Sequence, residues 1–475
     1  MTDGQPAIKI GLEVHVELAT PTKLFCPCAR VGDEEPNART CPVCLGYPGA
    51  RPYPARSAVE MGVRVALALA CRIAPRLVFA RKAYFYPDLA KGYQITQYED
   101  PVGDGGVLRL PSGQTIPLQR VHLEEDPAAI SYPSTMEDSP YALIDYNRSG
   151  SPLLEIVTAP AIRDAATARE FLTELVKVLL HLGVHDPHTC VLKADANISL
   201  RETGYERVEI KNILGAHELQ AALEYEIVRQ RIAHASGRAI VRETRGWDAK
   251  GLRTFSMRSK EQEEEYGYIT EPDIPQYAFD DAWTVLLRAS VPELPLQRAE
   301  RYISAGVAPD DAAVLVADPA LTALFERVIA AGIGATLAAR WIRREVLRVL
   351  NYASVPPAQS PIAPDALIEL LAMVAGGEIT DAGAKRIIER LMEEHALAPR
   401  AYAAAHGLVR SSDRAGLDAA VRAVVREHAK AAADYRAGEE RSLQYLIGQA
   451  MRATRGTYDP ATVKEAVLDA LRATD

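Results

Sequence analysis

A nine-residue stretch, IGLEVHVEL at residues 10–18, alternates apolar and polar side chains. Successive side chains of a β-strand point to opposite faces, so this alternation predicts a strand with one apolar face and one polar face. The polar face carries Glu13, His15 and Glu17 in a row. Two carboxylates and an imidazole on one surface are a candidate metal or phosphate site. The alternative is an ordinary strand with one face in solvent.

Several later segments also have the pattern of strands that carry charged groups. They lie at residues 120–126, 145–148, 153–157 and 191–200. The last of them alternates as residues 10–18 do, and Asp195 is one of its polar positions. Glu155 stands in an otherwise apolar run, where an ionised carboxylate is costly unless a cation or a donor lies beside it. We predict that these strands form the walls of one cleft whose carboxylate oxygens suit Mg²⁺.

Four of the six cysteines form two close pairs, which are Cys26-Pro-Cys28 and Cys41-Pro-Val-Cys44. Two such pairs separated by a loop match the needs of a tetrahedral thiolate site, in which Zn²⁺ binds four sulfurs at about 2.3 Å. The alternative is four reduced core cysteines, but the paired spacing favours zinc. The two remaining cysteines, Cys71 and Cys190, have apolar neighbours and are expected in the core.

The fold class predicted from these patterns is α+β. A chain of 475 residues is too long for one ordinary core, and two or three domains are expected. The strand-like segments belong to a mixed α/β amino-terminal part, in which a capping-box pattern at Ser57–Glu60 predicts the start of a helix. From about Asp281 the composition changes to long helical periods rich in Ala, Leu and Arg. The carboxyl-terminal part is therefore predicted to be all-α.

One late helix is predicted to present a basic group. Its apolar residues recur at helical spacing and are Leu443, Leu446, Ile447, Ala450 and Met451. Arg441 lies near its start, and Arg452 and Arg455 lie at its end. The alternative for each arginine is an ordinary solvated helix terminus.

Charge and hydropathy exclude several classes of protein. No apolar run approaches the ~20 residues of a membrane helix, and the amino end has neither the basic nor the apolar region of a secretory signal. A cytoplasmic location without membrane contact is therefore expected. The net charge of -9 argues against a broadly basic surface, so a nucleic acid would have to be held by a local patch. The chain also lacks the P-loop pattern, so ATP would be held in another way.

Eight motifs occur in an order that matches one known family. They are IGLEVHVEL (10–18), TCPVCLGYPG (40–49), RKAYFYPDLAKGYQITQYE (81–99), HLEED (122–126), LIDYNRSGSPLLEIVT (143–158), ADANISL (194–200), EIKN (209–212) and LIGQAMRATRG (446–456). With them the chain resembles the B subunit of the tRNA-dependent amidotransferases, the GatB family, over nearly its whole length. It departs from the family's DYRYFPEPDL pattern at Gly267, Ile269 and Thr270. That departure concerns contacts with the tRNA acceptor end or with another subunit.

The resemblance implies a domain layout and a reaction. A kinase-like catalytic cradle domain is expected at residues 1–290, a helical domain at 291–404 and a tRNA-binding tail domain at 405–475. ATP would phosphorylate the side-chain carboxylate of Glu-tRNA(Gln) or Asp-tRNA(Asn), and ammonia would then displace phosphate. The enzyme would be a glutamine-hydrolysing carbon–nitrogen ligase. It would be a heterotrimer in which a glutaminase A subunit supplies ammonia and a small C subunit completes the complex.

The resemblance also implies roles for individual residues. His15, Glu125 and Glu155 match the positions that hold the family's Mg²⁺. Further catalytic candidates are Glu13 and Glu124 as ligands of a second metal or as channel acids, Asp195 as another acid of the cleft and Lys82 as a phosphate-binding cation. Cys26, Cys28, Cys41 and Cys44 would hold structural Zn²⁺, and Arg441, Arg452 and Arg455 would contact tRNA. The expected cofactors are therefore ATP, Mg²⁺ and Zn²⁺.

Two other functions compete with this interpretation. The first is a non-catalytic, zinc-stabilised tRNA-binding module, which would need the cysteines and the basic helix but not the acids. The second and weaker one is a stand-alone carboxylate-metal hydrolase. The row of acids discriminates against simple tRNA binding, because clustered anions repel phosphate unless a cation bridges them.

Overall fold

The computed structural model describes residues 6–32, 34–134, 138–259, 266–411, 413–454 and 456–473. The chain divides into two compact units, residues 1–297 and residues 298–475. The first unit contains all the strands of the described residues. These are β1 (Ile8–Glu17), β2 (Arg72–Ile73), β3 (Arg76–Leu77), β4 (Ala80–Ala83), β5 (Tyr93–Thr96), β6 (Gly103–Asp104), β7 (Val107–Arg109), β8 (Thr115–Glu125), β9 (Ala129–Ser131), β10 (Leu143–Asp145), β11 (Pro152–Thr158), β12 (Leu192–Leu200), β13 (Val208–Ile213), β14 (Glu243–Asp248), β15 (Arg253–Ser259), β16 (Ile269–Thr270) and β17 (Tyr277–Ala278).

Among the described residues, four helices lie wholly within the first unit. Those are α1 (Arg56–Ala68), α2 (Ala165–His181), α3 (Gly215–Ala235) and α4 (Asp281–Ala289), followed by α5 (Pro295–Ser304), which crosses the division. The second unit continues with α6 (Pro309–Leu315), α7 (Pro319–Ala330), α8 (Ala335–Trp341), α9 (Leu347–Tyr352), α10 (Pro364–Ala375), α11 (Asp381–Leu391), α12 (Pro399–Ala405), α13 (Arg414–Glu427), α14 (Ala429–Arg436), α15 (Glu440–Ala453) and α16 (Pro460–Arg472). Short 3₁₀ turns lie at Arg201–Thr203 and Pro357–Gln359, and a π-helical turn joins α8 to α9 at Ile342–Val346.

The first unit is built on one large mixed sheet with β1 near its middle. The strand order is β15-β14-β13-β12-β1-β11-β8-β6-β2, and β7 pairs with β8. β1 is antiparallel to both of its neighbours, β11 and β12. The predicted two-faced strand is confirmed, because Leu12, Val14 and Val16 are completely buried in the core. The opposite face of β1, which carries the polar side chains, is therefore the candidate for a functional site.

The core of the first unit lies between the apolar face of the sheet and its helices. α2 begins at an aspartate cap, in which the Asp164 carboxylate accepts a hydrogen bond from the backbone N–H of Thr167 at 2.7 Å. The capping box predicted at Ser57–Glu60 is wrong, because α1 begins at Arg56 and Ala55 precedes it without a side-chain cap. The backbone N–H of Ala55 instead donates to Leu24 O at 2.7 Å, which fixes the entry of the chain into the helix.

The second unit is helical and holds two hydrophobic clusters. One is formed by residues between 299 and 408, and the other by residues between 417 and 471. The predicted class, a mixed sheet with helices and a helical carboxyl-terminal region, is confirmed at this level. The domains predicted at 1–290, 291–404 and 405–475 stay a prediction, because a hydrophobic cluster describes packing and not an independent domain. None of the described helices has the length and apolar character needed to cross a membrane.

Candidate active site

Neighbouring strands of the large sheet place polar side chains on one common face. Across β1 and β11, His15 lies opposite Glu155, and across β11 and β8, Glu155 lies opposite His122. Across β1 and β12, Glu13 lies opposite Asp195. Directly opposed side chains of antiparallel strands lie on the same face. The predicted meeting of acids from separate strands is therefore present in the structure.

The centre of this face is a compact group of His15, Glu124 and Glu155. One potential ligand atom of each lies within 4.8 Å of the others. His15 Nε2 is 3.5 Å from a Glu155 oxygen and 3.9 Å from a Glu124 oxygen. His122 lies beside the group, with its Nε2 3.3 Å from Glu155 and 3.7 Å from Glu124. We call His15, His122, Glu124 and Glu155 the histidine–glutamate cluster.

The histidine–glutamate cluster holds imidazole and carboxylate groups of opposite charge close together in a buried site. Burial by itself lowers the pKa of His15, but the hydrogen bond to Glu155 and the nearby carboxylate charges raise that pKa to about 10. Burial opposes ionisation of Glu155 too, yet His122 and His15 bring its pKa well below the ordinary value. The pKa of Glu124 is lowered in the same way, against its burial and mainly by the hydrogen bond with His122. If the carboxylates bound a divalent cation, a histidine that also ligated it would lose its extra proton, because imidazole binds a metal in its neutral form.

Glu125, which was expected as a magnesium ligand, lies outside this cluster. Both of its oxygens accept hydrogen bonds from Lys91 Nζ at 2.6 Å, and one also accepts from the backbone N–H of Ile95 at 2.9 Å. Glu124 and Glu125 are adjacent in β8, so their side chains leave on opposite faces. Glu124 is the acid that joins His15 and Glu155.

Glu17 also differs from its expected place in the row on β1. Its carboxylate accepts a hydrogen bond from the backbone N–H of Val191 at 3.0 Å and pairs with Arg30 at 3.4 Å. The side chain is buried, and the exposed fraction of the residue is 7%. Glu17 is therefore a structural acid, and Glu13 and His15 are the members of the row that reach the site.

A line of polar and charged side chains extends the site from β1 across β12 and β13. Asn197 donates to Glu13 at 2.8 Å, and Lys211 Nζ donates to Asp195 at 2.7 Å. Lys211 also lies 3.6 Å from Glu209. Burial and the charge of Glu155 raise the pKa of Glu13, so this acid holds a proton more readily than an ordinary glutamate.

The cluster opens into a cleft that carries several cations. The residues lining the cleft are Glu13, Lys82, Thr96, Gln97, Tyr98, Arg120, His122, Glu124, Glu155, Arg207, Glu209, Lys211, Arg242, Thr244, Tyr266 and Tyr268. Lys82 is among them, as expected. Arg120 is a further cation, and its Nε is buried without a hydrogen-bond partner among the described residues. Cations beside an acidic cluster are suited to an anionic ligand with several charges.

Several residues of the site were missed by reasoning from the sequence. Arg120 and His122 alternate along β8 with the predicted Glu124 and so share its face, and Glu209 and Lys211 share one face of β13. This period of two is the signal that could have identified them. Tyr98, Tyr266 and Tyr268 gave no such signal, because they lie outside regular alternating strands.

The four paired cysteines form a second group with the donors that zinc requires. One sulfur atom from each of Cys26, Cys28, Cys41 and Cys44 lies within 4.8 Å of the others. A hydrogen bond from the Cys26 thiol, helped by the charge of Lys23, lowers the pKa of Cys44 to about 4. These four donors fit Zn²⁺ as the paired spacing predicted.

A buried lysine accompanies the four cysteines. Lys23 is completely buried, and its Nζ lies 3.6 Å from Cys44 Sγ. It also donates to the backbone carbonyl oxygens of Arg39 at 3.0 Å and Tyr146 at 3.2 Å. A buried ammonium is stable only beside a negative charge. The anionic thiolates of a zinc site would supply that charge.

Two of the three predicted tRNA contacts, Arg441 and Arg452, lie on α15. The apolar face of this helix contributes Leu446 and Ala450 to the second cluster of the helical unit, as its spacing predicted. Arg441 and Arg452 are exposed near its two ends. Arg455 lies outside the described residues. The role of these arginines in binding tRNA stays a prediction.

Comparisons with known proteins match nearly the whole chain. A family model of the GatB/GatE catalytic domain matches residues 8–285, and one of the GatB domain matches residues 323–471. The relatives include proteins named as the B subunit of aspartyl/glutamyl-tRNA(Asn/Gln) amidotransferase. The one from Carboxydothermus hydrogenoformans is 39% identical, the one from Sulfolobus acidocaldarius 42% and the one from Thermus thermophilus 39%. Each alignment covers 97% of this chain and 98% of the relative.

Proposed function

The chain belongs to the GatB/GatE family, and on that premise we propose that it is the activating subunit of a tRNA-dependent amidotransferase. It would direct the phosphorylation by ATP of the side-chain carboxylate of Glu-tRNA(Gln) or Asp-tRNA(Asn). Ammonia from a glutaminase A subunit would then displace phosphate, with a small C subunit completing the heterotrimer. A carboxylate needs such activation, because oxide is a poor leaving group whereas phosphate leaves easily.

The observation that carries this proposal is the histidine–glutamate cluster, three members of which line a cleft that also carries several cations. Glu124, Glu155 and His15 would hold Mg²⁺, which supplies neutralisation of charge on the transferring phosphoryl group. The donor set supports this, because two carboxylates dominate it. Lys82 and Arg120 line the same cleft and would hold phosphate oxygens. Holding and neutralising these charges provides most of the catalysis in phosphoryl transfer.

Glu13 has the properties of a base for the second step. Attack of ammonia on the acyl phosphate forms a bond between nitrogen and carbon and leaves an extra proton on the nitrogen. Burial and the Glu155 charge raise the pKa of Glu13, which would make its carboxylate a stronger base than that of an ordinary glutamate. Asn197 holds the Glu13 carboxylate at 2.8 Å and fixes its direction.

The test of the proposed function is ATP consumption by the reconstituted complex with each mischarged tRNA. We expect ADP to form only when Glu-tRNA(Gln) or Asp-tRNA(Asn) is present, and amidated tRNA to form when glutamine is added. Tight tRNA binding without ADP formation would instead support the non-catalytic binding module. Hydrolysis that needs neither tRNA nor an ammonia source would support the stand-alone hydrolase.

Substitution of the two adjacent acids of β8 should separate their roles. We expect Glu124→Gln to raise the Mg²⁺ concentration needed for half-maximal activity by at least about tenfold, since it removes one charged ligand. Glu125→Gln should leave that concentration nearly unchanged. It should instead lower the unfolding temperature, because it leaves the buried side chain of Lys91 without its counter-charge. Magnesium titrations and thermal unfolding of both variants check this. The reverse pattern would show that Glu125, and not Glu124, ligates the metal.

Removal of two exposed arginines of α15 should weaken tRNA binding in a salt-dependent way. Log affinity for tRNA falls as log salt concentration rises. We expect the double variant Arg441→Ala, Arg452→Ala to make this slope shallower by about 1.5, which corresponds to the loss of two phosphate contacts. The control is Arg390→Ala, Arg400→Ala, because these exposed arginines already pair with glutamates. Binding of tRNA measured across NaCl concentrations gives the slope. Equal slopes in both double variants would show that α15 does not contact tRNA.

A further inference from the structure

The small sheet of β16, β4 and β5 contributes Lys82 and Thr96 to the lining of the cleft. β4 lies in the middle of this sheet and is antiparallel to both neighbours. Arg81 and Lys82 are adjacent in β4, so their side chains leave on opposite faces. Because Lys82 lies on the cleft face, Arg81 lies on the reverse face of this small sheet.

A buried ion pair with two hydrogen bonds lies on the reverse face. Arg81 Nε and a terminal nitrogen of Arg81 donate to the two oxygens of Glu271 at 2.6 and 2.8 Å, and that terminal nitrogen also donates to Asp273 at 2.8 Å. The guanidinium group lies 4.2 Å from the centre of the Tyr93 ring. The Glu271 side chain is completely buried, so its charge depends on this partner. The planar fork of arginine also fixes the direction of the carboxylate.

The segment that carries Glu271, residues 266–273, has little backbone pairing of its own. Its strand β16 has two residues, which pair with Arg81 and Ala80 of β4. The backbone N–H of Glu271 adds a hydrogen bond to Phe79 O at 2.9 Å. Pairing of so few residues is marginal, so side-chain contacts such as the ion pair must hold the segment in place.

The other end of this segment lies beside Lys82. The Lys82 ammonium group is 4.6 Å from the centre of the Tyr266 ring, a distance at which an aromatic face attracts a cation. The Tyr268 ring stacks on Tyr98 with the centroids 4.1 Å apart and the planes 10° apart. The segment therefore contacts β4 on both faces, with Glu271 on the reverse face and Tyr266 on the cleft face.

We propose that Arg81 and Glu271 are positioning residues for Lys82. Their ion pair anchors residues 266–273 to the reverse face of β4, and the anchored Tyr266 ring then holds the Lys82 ammonium group in the cleft. This inference rests on the proposed function, in which Lys82 holds phosphate oxygens. The described residues that line the cleft do not include Arg81 or Glu271, so both would act through Lys82 and not by touching the substrate.

The test is a double-mutant cycle on the whole complex, with magnesium tripolyphosphate as the probe. We expect Lys82→Met to weaken binding of this probe by at least about tenfold, a typical loss for one charged hydrogen bond. Glu271→Gln should weaken it by at least about fivefold, because a displaced charge holds phosphate less well. In the Lys82→Met background, Glu271→Gln should cause almost no additional loss.

A second ion pair of the chain provides the matched control. Glu226 and Arg229 of α3 form the same pair of hydrogen bonds, at 2.6 and 2.9 Å. The exposed fractions of their side chains are 0% and 22%, against 0% for Glu271 and 23% for Arg81. Glu226→Gln should therefore lower the unfolding temperature as Glu271→Gln does, but it should leave tripolyphosphate binding unchanged. Arg81→Lys keeps the counter-charge without the fork, so it should preserve folding and still weaken binding.

Three results would overturn the positioning role. Losses that add in the double variant would show that Glu271 acts on the cleft without Lys82. Unchanged binding in Lys82→Met, Glu271→Gln or Arg81→Lys would overturn it as well. An equal loss of binding in Glu226→Gln would show that the effect is one of stability alone.

The outcomes separate this inference from the proposed function. A complex that forms ADP with mischarged tRNA, but in which the losses add, contradicts only the positioning role. A complex that shows the expected cycle but forms no ADP contradicts only the proposed function. A complex that binds neither ATP nor tripolyphosphate contradicts both, and one that binds ATP alone contradicts the positioning role.

Discussion

Replacing Glu155 with glutamine is expected to slow ATP-dependent activation of the tRNA by at least about a hundredfold, because charge neutralisation and positioning supply most of the catalysis in phosphoryl transfer. The substitution keeps the size of the side chain and removes its charge. Glu155 is 9% exposed and lies 3.5 Å from His15 and 3.3 Å from His122. It stands at the centre of the histidine–glutamate cluster, and its distances to both histidines are shorter than those of Glu124.

The measurement is the rate of ADP formation with mischarged tRNA at several Mg²⁺ concentrations. Glu174→Gln is the matched control, since Glu174 is a buried acid paired with Lys177 on α2 and does not line the cleft. Binding of tRNA, glutamine hydrolysis by the partner and zinc content should be nearly unaffected in both variants. A Glu155→Gln complex that amidates tRNA at close to the normal rate, with unchanged Mg²⁺ dependence, would show that Glu155 is a structural acid.

Loss of zinc is expected to loosen the cysteine loop before it alters the cleft. The four thiolates of the zinc site would provide the counter-charge of completely buried Lys23, so that chelation leaves this ammonium with less negative charge beside it. We expect hydrogen exchange of residues 20–50 to accelerate by at least about a hundredfold, since binding energy at a structural zinc site is also folding energy. The strands that carry Glu124 and Glu155 should keep most of their protection.

Elemental analysis provides the direct check, and one zinc per chain is expected. Cys44→Ala should lose the metal. Cys190→Ala should keep it, because Cys190 is buried outside the group of four. Protein purified without chelator that contains no zinc would contradict the prediction, and the four cysteines would then be reduced core residues.

The parts of the site that follow from local alternation could be predicted from the sequence. The two faces of β1 and β12 depend only on the period of two, so Glu13, His15 and Asp195 could be assigned to one surface before their strands were paired. The isolated acid Glu155 could be recognised because an apolar run makes its burial expensive. The zinc-type cysteine pairs were recognisable for a similar reason, since their spacing is local.

The choice between adjacent acids required the structure. In the HLEED motif Glu124 and Glu125 are equivalent in composition, and only the pairing of β8 with β11 decides which one faces Glu155. Helix α1 illustrates a second limit, because a tertiary backbone hydrogen bond to Leu24 replaced the local cap that the sequence suggested. The stacking of Tyr98 on Tyr268 joins residues far apart in sequence, which no local pattern can reveal.

The central position of β1 also has a consequence for the synthesis of the chain. Both of its neighbours come much later, at Pro152–Thr158 and Leu192–Leu200. At typical translation rates the ribosome needs roughly 10 to 30 s to add the intervening residues. During that time a strand with one apolar face and two open edges lacks both of these partners in the nascent chain. The strand at the middle of the sheet is thus made early but can pair with its neighbours only late.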